Sequence, residues 1–326
     1  MPFRTGEERL PRIRSSSGKQ RQDASRCLSG GVVQIGEREI IGKPSLSVPR
    51  GYDETARAFI CVVLVPVACS RSFAVGAECM RILVLADIHA NWPALRAIQE
   101  SFDACLFLGD LVDYGPDPVP CIDWVRQNVH TSVRGNHDHA VAQRILPKGT
   151  SGFRRLAAAT RPLHWNLIDP ARNKFLARLP ITAHVQIDGY RFHLLHATPR
   201  DPLDEYLGPE ASGWEARVQD IEADFLCVGH SHTPFEIDVG GLRVVNPGSV
   251  GQPRDGDPRA SYAIIEDGRV HFRKVAYDID ETLALMRKQN VEPWAVELTA
   301  AVLRTGGRVS PEEFDRLTRS EDPSAP

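Results

Sequence analysis

The chain contains 326 residues, of which 42% are hydrophobic and 25% are charged, and its formal net charge is −3. These values are typical of a folded protein with one large or two smaller domains, and they exclude disordered and fibrous chains. A membrane-spanning helix needs ~18 uninterrupted apolar residues. The apolar run at residues 58–70 is shorter than that and is interrupted by Pro66, so we expect no membrane partner.

Residues 1–79 differ in character from the rest of the chain. They hold 12 basic and 8 acidic side chains, which leaves 27 basic and 34 acidic side chains, a net charge of −7, for residues 80–326. An acidic body disfavours non-specific binding to nucleic acid, so we expect no stable nucleic-acid partner. We interpret residues 1–79 as a low-complexity N-terminal extension, either disordered or placed upstream of a natural start at Met80.

The use of cysteine indicates the cellular compartment. Three cysteines follow residue 80, namely Cys105, Cys121 and Cys227, and each has apolar neighbours in the sequence. An odd number of cysteines in such surroundings predicts buried free thiols rather than a disulfide framework. We therefore predict a cytoplasmic location.

From Met80 onward the hydrophobic pattern predicts alternating strands and helices. Strands are expected at 82–86, 105–108 and 131–133, with helices between them at 93–101 and 119–127. Asn91 is a suitable N-cap for the first of these helices. This βαβαβ order predicts a parallel sheet with helices packed against it. Apolar residues at three- and four-residue spacing predict two further helices, at 153–160 and 171–179.

After residue 180 the pattern changes to paired strands. Hairpin turns are marked by Asp188-Gly189, Gly240-Gly241 and Asp267-Gly268, and strands 181–187 and 190–195 flank the first of them. The second half of the chain is therefore expected to be mostly antiparallel. We predict that residues 80–279 form the main domain. Residues 280–326 are expected to add short helices and a tail packed on the same domain.

Polar side chains follow five of the predicted strands. These motifs are Asp87-Ile88-His89, Gly109-Asp110-Leu111-Val112-Asp113, Gly135-Asn136-His137-Asp138, His196, and Gly229-His230-Ser231-His232. Each motif alone has an ordinary structural explanation, such as a helix cap, a turn or a buried histidine. Because open α/β sheets place their sites at the carboxyl ends of strands, the five together predict one site.

The side chains in these motifs offer oxygen and nitrogen ligands and no thiolate. That mixture suits Mn²⁺, Fe or Zn²⁺ better than Ca²⁺, and there are more ligands than one ion needs. A pair of divalent ions shares a carboxylate and a bridging water, whose pKa falls to roughly 7. The expected reaction is therefore in-line attack on phosphorus by a hydroxide that bridges two metal ions.

The ordered set of motifs resembles the calcineurin-like metallophosphoesterase superfamily, and in particular its small bacterial phosphodiesterase branch. The run Asn246-Pro247-Gly248-Ser249-Val250-Gly251 closes the pattern as in that branch, and the resemblance covers about residues 80–275. It implies an α/β fold, a four-layer α/β/β/α sandwich of two mixed β-sheets flanked by helices. It also implies a small phosphorylated substrate, cleaved at a phosphodiester or nucleotide anhydride bond. The implied cofactors are two divalent ions, Mn²⁺ first, with Fe, Zn²⁺ or Ni²⁺ as alternatives.

The resemblance also implies a role for each motif residue. The implied metal ligands are Asp87, His89 and His232 for one ion, Asp110 for both ions, and Asn136, His196 and His230 for the other. His137 is the implied general acid that protonates the leaving oxygen, and Asp113 is expected to orient its ring. A histidine that lies beside a metal ligand but does not bind the metal is free to transfer a proton.

One departure from the superfamily bears on the substrate. Its protein phosphatases carry a phosphate-binding Arg directly after the last aspartate of Gly-Asp-x-x-Asp, whereas this chain has Tyr114. A phosphomonoesterase or Ser/Thr protein phosphatase is therefore the alternative to a phosphodiesterase. A catalytically silent scaffold of the same fold is a further alternative, but it should show substituted ligands and none is substituted here.

Two more residues are candidate substrate-binding residues. Arg134 precedes Gly135 at the end of a predicted strand, and His139 lies two residues beyond His137. A surface ion pair is the alternative for Arg134, and a solvated position at the start of a helix is the alternative for His139.

Overall fold

The computed structural model describes residues 79–147, 152–209 and 211–318. The predicted N-terminal extension lies outside the described residues, apart from its last residue. The strands in the described part of the chain are β1 (Ile82–Leu85), β2 (Ala104–Phe107), β3 (Thr131–Ser132), β4 (Thr182–Ile187), β5 (Tyr190–Leu195), β6 (Phe225–Cys227), β7 (Phe235–Val239), β8 (Leu242–Asn246), β9 (Ala260–Glu266) and β10 (Arg269–Val275). The helices there are α1 (Trp92–Ala97), α2 (Pro118–Asn128), α3 (Asn136–Ala142), α4 (Gly152–Leu167), α5 (Pro170–Arg178), α6 (Ala211–Val218), α7 (Ile279–Lys288), α8 (Pro293–Thr305) and α9 (Pro311–Thr318).

The strands form two mixed sheets of five strands each. The first sheet has the order β10-β9-β1-β2-β3, in which β1, β2 and β3 are parallel, as predicted, and β9 is antiparallel to both of its neighbours. The second has the order β4-β5-β6-β8-β7, with β5, β6 and β8 parallel at its centre. The expectation of a mostly antiparallel second half is wrong at this centre. Hairpin turns report only the pairing of consecutive strands, whereas β5, β6 and β8 are joined by crossover connections.

The side chains of β1 alternate between the two faces of the first sheet, as the two-residue period of a strand requires. Ile82 and Val84 belong to the buried cluster between the sheets, together with Phe192 of β5. Leu83 and Leu85 belong to a second cluster, which includes residues of α1, α2 and α5. The fold is therefore the predicted α/β/β/α sandwich, and its two sheets share an apolar layer.

Two further clusters involve helices: α6 packs on the second sheet, and the C-terminal helices pack with α4. Trp214 of α6 packs with Leu226 and Val244 of the second sheet. The C-terminal helices form a further cluster with α4, in which Met286 and Leu156 are both buried. Within the described residues, the helices are all too short or too polar to cross a lipid bilayer.

The predicted boundaries of the first helices are close to the observed ones, with two differences. Helix α1 ends at Ala97 instead of residue 101, because the backbone of Ile98 is extended and its N–H group donates to Leu95. Helix α4 continues to Leu167, beyond the predicted end at residue 160, with Pro162 inside it. A proline removes one backbone hydrogen bond, and packing of the remaining turns compensates here.

Asn91 is the N-cap of α1, as predicted, and its side chain also joins three distant segments. Its Oδ1 accepts hydrogen bonds from the Ala94 N–H (3.3 Å) and from the Thr282 hydroxyl of α7 (2.9 Å). Its Nδ2 donates to the Gly251 carbonyl (2.9 Å) and to the Tyr277 hydroxyl (3.2 Å). One buried amide therefore ties α1, α7 and the loop between β8 and β9 together.

We expect Asn91→Ala to lower the free energy of unfolding by about 2 to 4 kcal/mol, because it removes a helix cap and leaves buried partners unpaired. Asp278→Ala is the matched control. It removes the exposed cap of α7, whose side chain accepts from the Glu281 N–H at 2.9 Å, and should cost only about 1 kcal/mol. Urea unfolding followed by circular dichroism measures both. Equal losses for the two variants would contradict the linking role of Asn91.

Candidate metal centre

The predicted metal ligands lie at strand ends that meet at one edge of the sandwich. They are Asp87 and His89 after β1, Asp110 after β2, Asn136 at the start of α3, His196 after β5, and His230 and His232 after β6. All except Asn136 are buried. The strand-end positions therefore bring together side chains that are up to 145 residues apart in the chain.

The ligand atoms form two groups that share one carboxylate. In the first group, Asp87, His89, Asp110 and His232 each offer an atom within 4.8 Å of the others. Asp110, His196 and His230 form the second group under the same limit. The His232 Nε2 atom lies 3.5 Å from the Asp87 carboxylate, and the His196 Nε2 atom lies 3.2 Å from that of Asp110. The arrangement has the shared carboxylate that a pair of ions requires.

Backbone carbonyls orient three of the histidine rings. The Nδ1 atoms of His89, His196 and His232 lie 3.0, 2.8 and 2.6 Å from the carbonyl oxygens of Val112, Leu108 and Gln252, respectively. Because a carbonyl only accepts, each Nδ1 carries hydrogen and each Nε2 faces the cluster.

The fourth ring has the opposite orientation. The Nε2 atom of His230 lies 3.3 Å from the Asp204 carbonyl, so its Nδ1 faces the cluster, 3.1 Å from the His196 Nε2 atom. A histidine whose ring is fixed by a carbonyl on one side is prepared to bind a cation with the other nitrogen.

Two of these rings present facing lone pairs. The Nε2 atoms of His89 and His232 are 3.2 Å apart. Burial lowers the pKa of His89 to about 3 and holds the pKa of His232 well below its usual value, so neither ring gains a proton at neutral pH. Two unprotonated nitrogens at this distance repel each other unless a cation binds both. The donor set therefore fits a divalent metal ion of the borderline class.

The two buried carboxylates of the cluster, Asp87 and Asp110, also need positive charge to balance them. Burial raises the pKa of Asp87 to about 7, and the charge of Asp110 adds to the effect. Burial opposes ionisation of Asp110 as well, but His196 and His137 hold its pKa well below the usual range. Burial lowers the pKa of His196, yet the Asp110 carboxylate outweighs it and raises the pKa to about 9. A proton on His196 thus balances a charge that a bound metal ion would balance instead.

Asn136 gives independent support for a cation. Its Oδ1 atom is buried and has no hydrogen-bond partner. An unpaired buried acceptor costs about 1 to 3 kcal/mol, which coordination to a cation would recover. The neighbouring Gly135 leaves space for the Asp110 carboxylate, because a Cβ atom there would lie 2.0 Å from Oδ1 of Asp110. The residues present therefore fit divalent metal ions.

The backbone is strained at most of the proposed ligand residues that follow the strands. Five of the proposed ligands have left-handed φ angles: Asp87 (53°), His89 (48°), Asp110 (59°), His230 (65°) and His232 (58°). Each such residue costs on the order of 1 to 3 kcal/mol, and strain of this kind collects at functional sites. Hydrogen bonds between neighbouring loops hold it, such as that from the His89 N–H to the Asp110 carbonyl (3.0 Å).

His137 lies beside the cluster and is held by a buried acid. Its Nδ1 atom is 2.7 Å from Asp113, and Arg161 donates to the same carboxylate through Nε (3.0 Å) and Nη2. The Nε2 atom of His137 lies 4.0 Å from the Asp110 carboxylate and 3.1 Å from the Tyr114 hydroxyl. Burial lowers the pKa of His137, but the carboxylates of Asp110 and Asp113 outweigh burial and raise it.

Asp138 organises the site, although no role was inferred for it from the sequence. Its carboxylate accepts hydrogen bonds from the N–H groups of Asp110 (2.9 Å), Leu111 (2.7 Å) and Gly135 (3.0 Å). Asp138 therefore fixes the loop after β2 against the start of α3. An acidic residue in the first turn of a helix is the sequence signal that could have indicated this role.

The two candidate substrate-binding residues differ in position. His139 lines the cavity beside the cluster. Arg134 donates instead to the carbonyls of Leu179 and Ala177 at the end of α5, and its Nη1 lies 3.2 Å from the His139 Nδ1 atom. The substrate contact expected of Arg134 gains no support from these hydrogen bonds.

Fold and site together define a metal-dependent phosphoesterase class, and comparison with known proteins agrees. A family model described as the calcineurin-like phosphoesterase superfamily domain matches residues 80–267. The chain belongs to this superfamily, and its relatives assign it to the small bacterial branch.

Three relatives illustrate the similarity. An uncharacterised protein of Methanocaldococcus jannaschii is 32% identical over 66% of this chain and 96% of its own length. Phosphodiesterase YfcE of Escherichia coli K12 is 26% identical over 58% of this chain and 88% of its own. The crystal structure of a metallophosphoesterase from Sphaerobacter thermophilus, 33% identical, covers 70% of this chain and 100% of its own with a TM-score of 0.59.

Asp110→Asn should reduce the amount of metal bound at both groups of ligands, because it removes the negative charge that the two groups share. Elemental analysis after dialysis against metal-free buffer measures the effect. Asp123→Asn is the control, since Asp123 lies on α2 and pairs with Arg172. Wild-type metal content in the Asp110 variant would contradict the sharing of this carboxylate.

Asp138→Asn should weaken metal binding about 10- to 100-fold, as changes beside metal ligands commonly do. The amide nitrogen would face backbone N–H groups that now donate to a carboxylate oxygen. Titration of the metal-free protein with Mn²⁺ or Zn²⁺ in a calorimeter gives the affinity. An unchanged affinity would show that the loop after β2 is held without Asp138.

Proposed function

We propose that the protein is a metal-dependent phosphodiesterase that hydrolyses phosphodiester or small nucleotide anhydride bonds. The observation that carries the proposal is the position of His137. A histidine held by a buried aspartate directs its other nitrogen toward a cluster of six buried acidic and imidazole side chains. A cation cluster beside a proton donor is the combination that phosphoester hydrolysis needs.

Seven residues are proposed to hold two divalent ions: Asp87, His89, Asp110, Asn136, His196, His230 and His232. The chemistry that such ions supply is neutralisation of phosphoryl charge and formation of hydroxide from water at neutral pH. Mn²⁺ is the first candidate, and Fe, Zn²⁺ and Ni²⁺ suit the same oxygen and nitrogen ligands.

The chain's own residues supply the proton for the departing group. In the proposed reaction a hydroxide oxygen bonds to phosphorus as the opposite P–O bond breaks, and His137 Nε2 donates its proton to the leaving oxygen. Asp113 stabilises the protonated ring through the 2.7 Å contact at Nδ1. Arg161 keeps Asp113 ionised and in place, because the guanidinium donates to that carboxylate from two nitrogens.

The cavity next to the cluster supports a small substrate. It has a volume of about 860 Å³, and its wall includes His137, Tyr114 and His230. Pockets of this size hold ligands of the dimensions of a nucleotide or a drug.

A cytoplasmic location is part of the proposal, supported by the buried free thiols of Cys105, Cys121 and Cys227.

The direct test compares substrates on the metal-free and the reconstituted protein. Bis-p-nitrophenyl phosphate, p-nitrophenyl phosphate and a dinucleoside polyphosphate are assayed with Mn²⁺, Fe²⁺, Zn²⁺ or Ni²⁺. We expect turnover only with metal and a higher kcat/KM for the diester than for the monoester. A preference for the monoester would instead indicate a phosphomonoesterase, and metal binding without turnover of any substrate would indicate a silent scaffold.

His137→Ala should lower kcat on the order of 10²- to 10⁴-fold for an alkyl leaving group, which departs only when protonated. The loss should be much smaller for p-nitrophenolate, which leaves as an anion. Metal content should stay at the wild-type level. His271→Ala, on edge strand β10, is the control for a histidine remote from the cluster. A loss that is equal for both leaving groups would remove His137 from the role of general acid.

A further inference from the structure

Arg254 lies on the loop between β8 and β9, where it contacts the turn that carries a proposed metal ligand. Its backbone N–H donates to the carbonyl of His232 at 3.2 Å. Its side chain lines the same cavity as His137 and Tyr114. Arg254 is thus fixed by the backbone to one wall of the cavity, beside the first group of ligands.

The guanidinium of Arg254 is positioned by uncharged groups. It lies over the ring of Phe153, 4.1 Å from the ring centre, and its Nη2 donates to the side-chain oxygen of Gln252 at 2.7 Å. Its Nε atom is buried and has no hydrogen-bond partner. Within the described residues, no carboxylate lies within 4.0 Å of it to form an ion pair.

Arg161, which lines the same cavity, shows the contrast. Its guanidinium is neutralised by the buried carboxylate of Asp113 and also donates to the Ile145 carbonyl at 2.8 Å. Arg254 keeps a full positive charge and unused donors at the cavity wall. A guanidinium fork of this kind binds two oxygens of a phosphate or carboxylate at once.

The backbone bond to His232 places Arg254 beside the first group of proposed ligands. A fixed cation near bound divalent ions repels them unless a negative group lies between. The phosphoryl group of a substrate would supply that negative group.

Tyr114 lines the same cavity as Arg254 and Phe153. It occupies the sequence position where protein phosphatases of the superfamily carry their arginine, and its ring is 6.0 Å from that of Phe153. Phe153 in turn supports Arg254 from the other side. Tyr114, Phe153 and Arg254 thus form one wall, with the positive charge at the end near the β8–β9 loop.

On the basis of the proposed phosphoesterase function, we propose that Arg254 is a substrate-binding residue that donates hydrogen bonds to the non-bridging oxygens of the phosphoryl group. Gln252 and Phe153 orient its guanidinium for this contact. The arginine that the Gly-Asp-x-x-Asp motif lacks is replaced by one from the opposite end of the domain sequence.

The test measures binding of inorganic phosphate to the metal-loaded protein by calorimetry, together with metal content and steady-state kinetics. Arg254→Met should retain metal, bind phosphate about 10- to 100-fold more weakly and lose a similar factor in kcat/KM for the diester. Arg254→Lys should recover part of the loss, because it keeps the charge and loses the fork. Arg259→Met is the matched control, since Arg259 follows on the same loop, is exposed and pairs with Asp257.

Three results would overturn the assignment. These are wild-type phosphate affinity in Arg254→Met, loss of metal from that variant or from Arg254→Lys, and an equal loss of phosphate affinity in Arg259→Met. The failure of the proposed function has a different signature. If the wild-type protein hydrolyses no phosphoester but binds phosphate in a way that depends on Arg254, the anion site stands and the proposed hydrolysis falls.

Discussion

The buried carboxylate of Asp110 is the group around which the site is built. It belongs to both groups of ligands, and it also accepts a hydrogen bond from the His137 N–H at 3.0 Å. Asp138 accepts a hydrogen bond from the backbone N–H of Asp110, and the absence of a side chain at Gly135 leaves space for the Asp110 carboxylate. A charge that is buried in this way is stable only with positive partners, so the surrounding loops and the cations that they attract depend on each other.

The strained strand ends follow from the same requirement. A strand that continued without a turn would carry each further residue about 3.3 Å along its axis, away from the strand end. Left-handed residues at the ends of β1, β2 and β6 turn the chain sharply, so that two residues from one turn, such as His230 and His232, reach the same cluster. The energy of this strain is balanced by the apolar layer between the sheets, where residues such as Phe192 and Phe225 are stacked and buried. Stability in the core thus permits unfavourable backbone at the site.

Much of the fold could be predicted from local patterns in the sequence, and the family resemblance of its motifs implied all seven of the proposed ligands. The apolar composition of buried strands such as Ile82–Leu85 predicts where they lie, and the polar residues directly after them fall at the carboxyl ends of parallel strands. The pairing of β5 with β6 and of β6 with β8 is not local and was missed. Asp138 and Arg254 were missed for a related reason. Their roles depend on which backbone groups or rings meet them in three dimensions, which the sequence indicates for Asp138 only through its place in the first turn of a helix.

The inverted ring of His230 connects the wall of the cavity with the proposed second metal site. Its outer nitrogen is held by the Asp204 carbonyl, and the exposed ring of Tyr206 lies 4.0 Å from its own. Both residues line the cavity. A substitution at Asp204 or Tyr206 that fits the cavity to a larger or smaller molecule would also disturb the ring of His230, a proposed ligand of the second ion. Divergence among relatives at these two positions should therefore carry changes of preferred metal along with changes of preferred substrate.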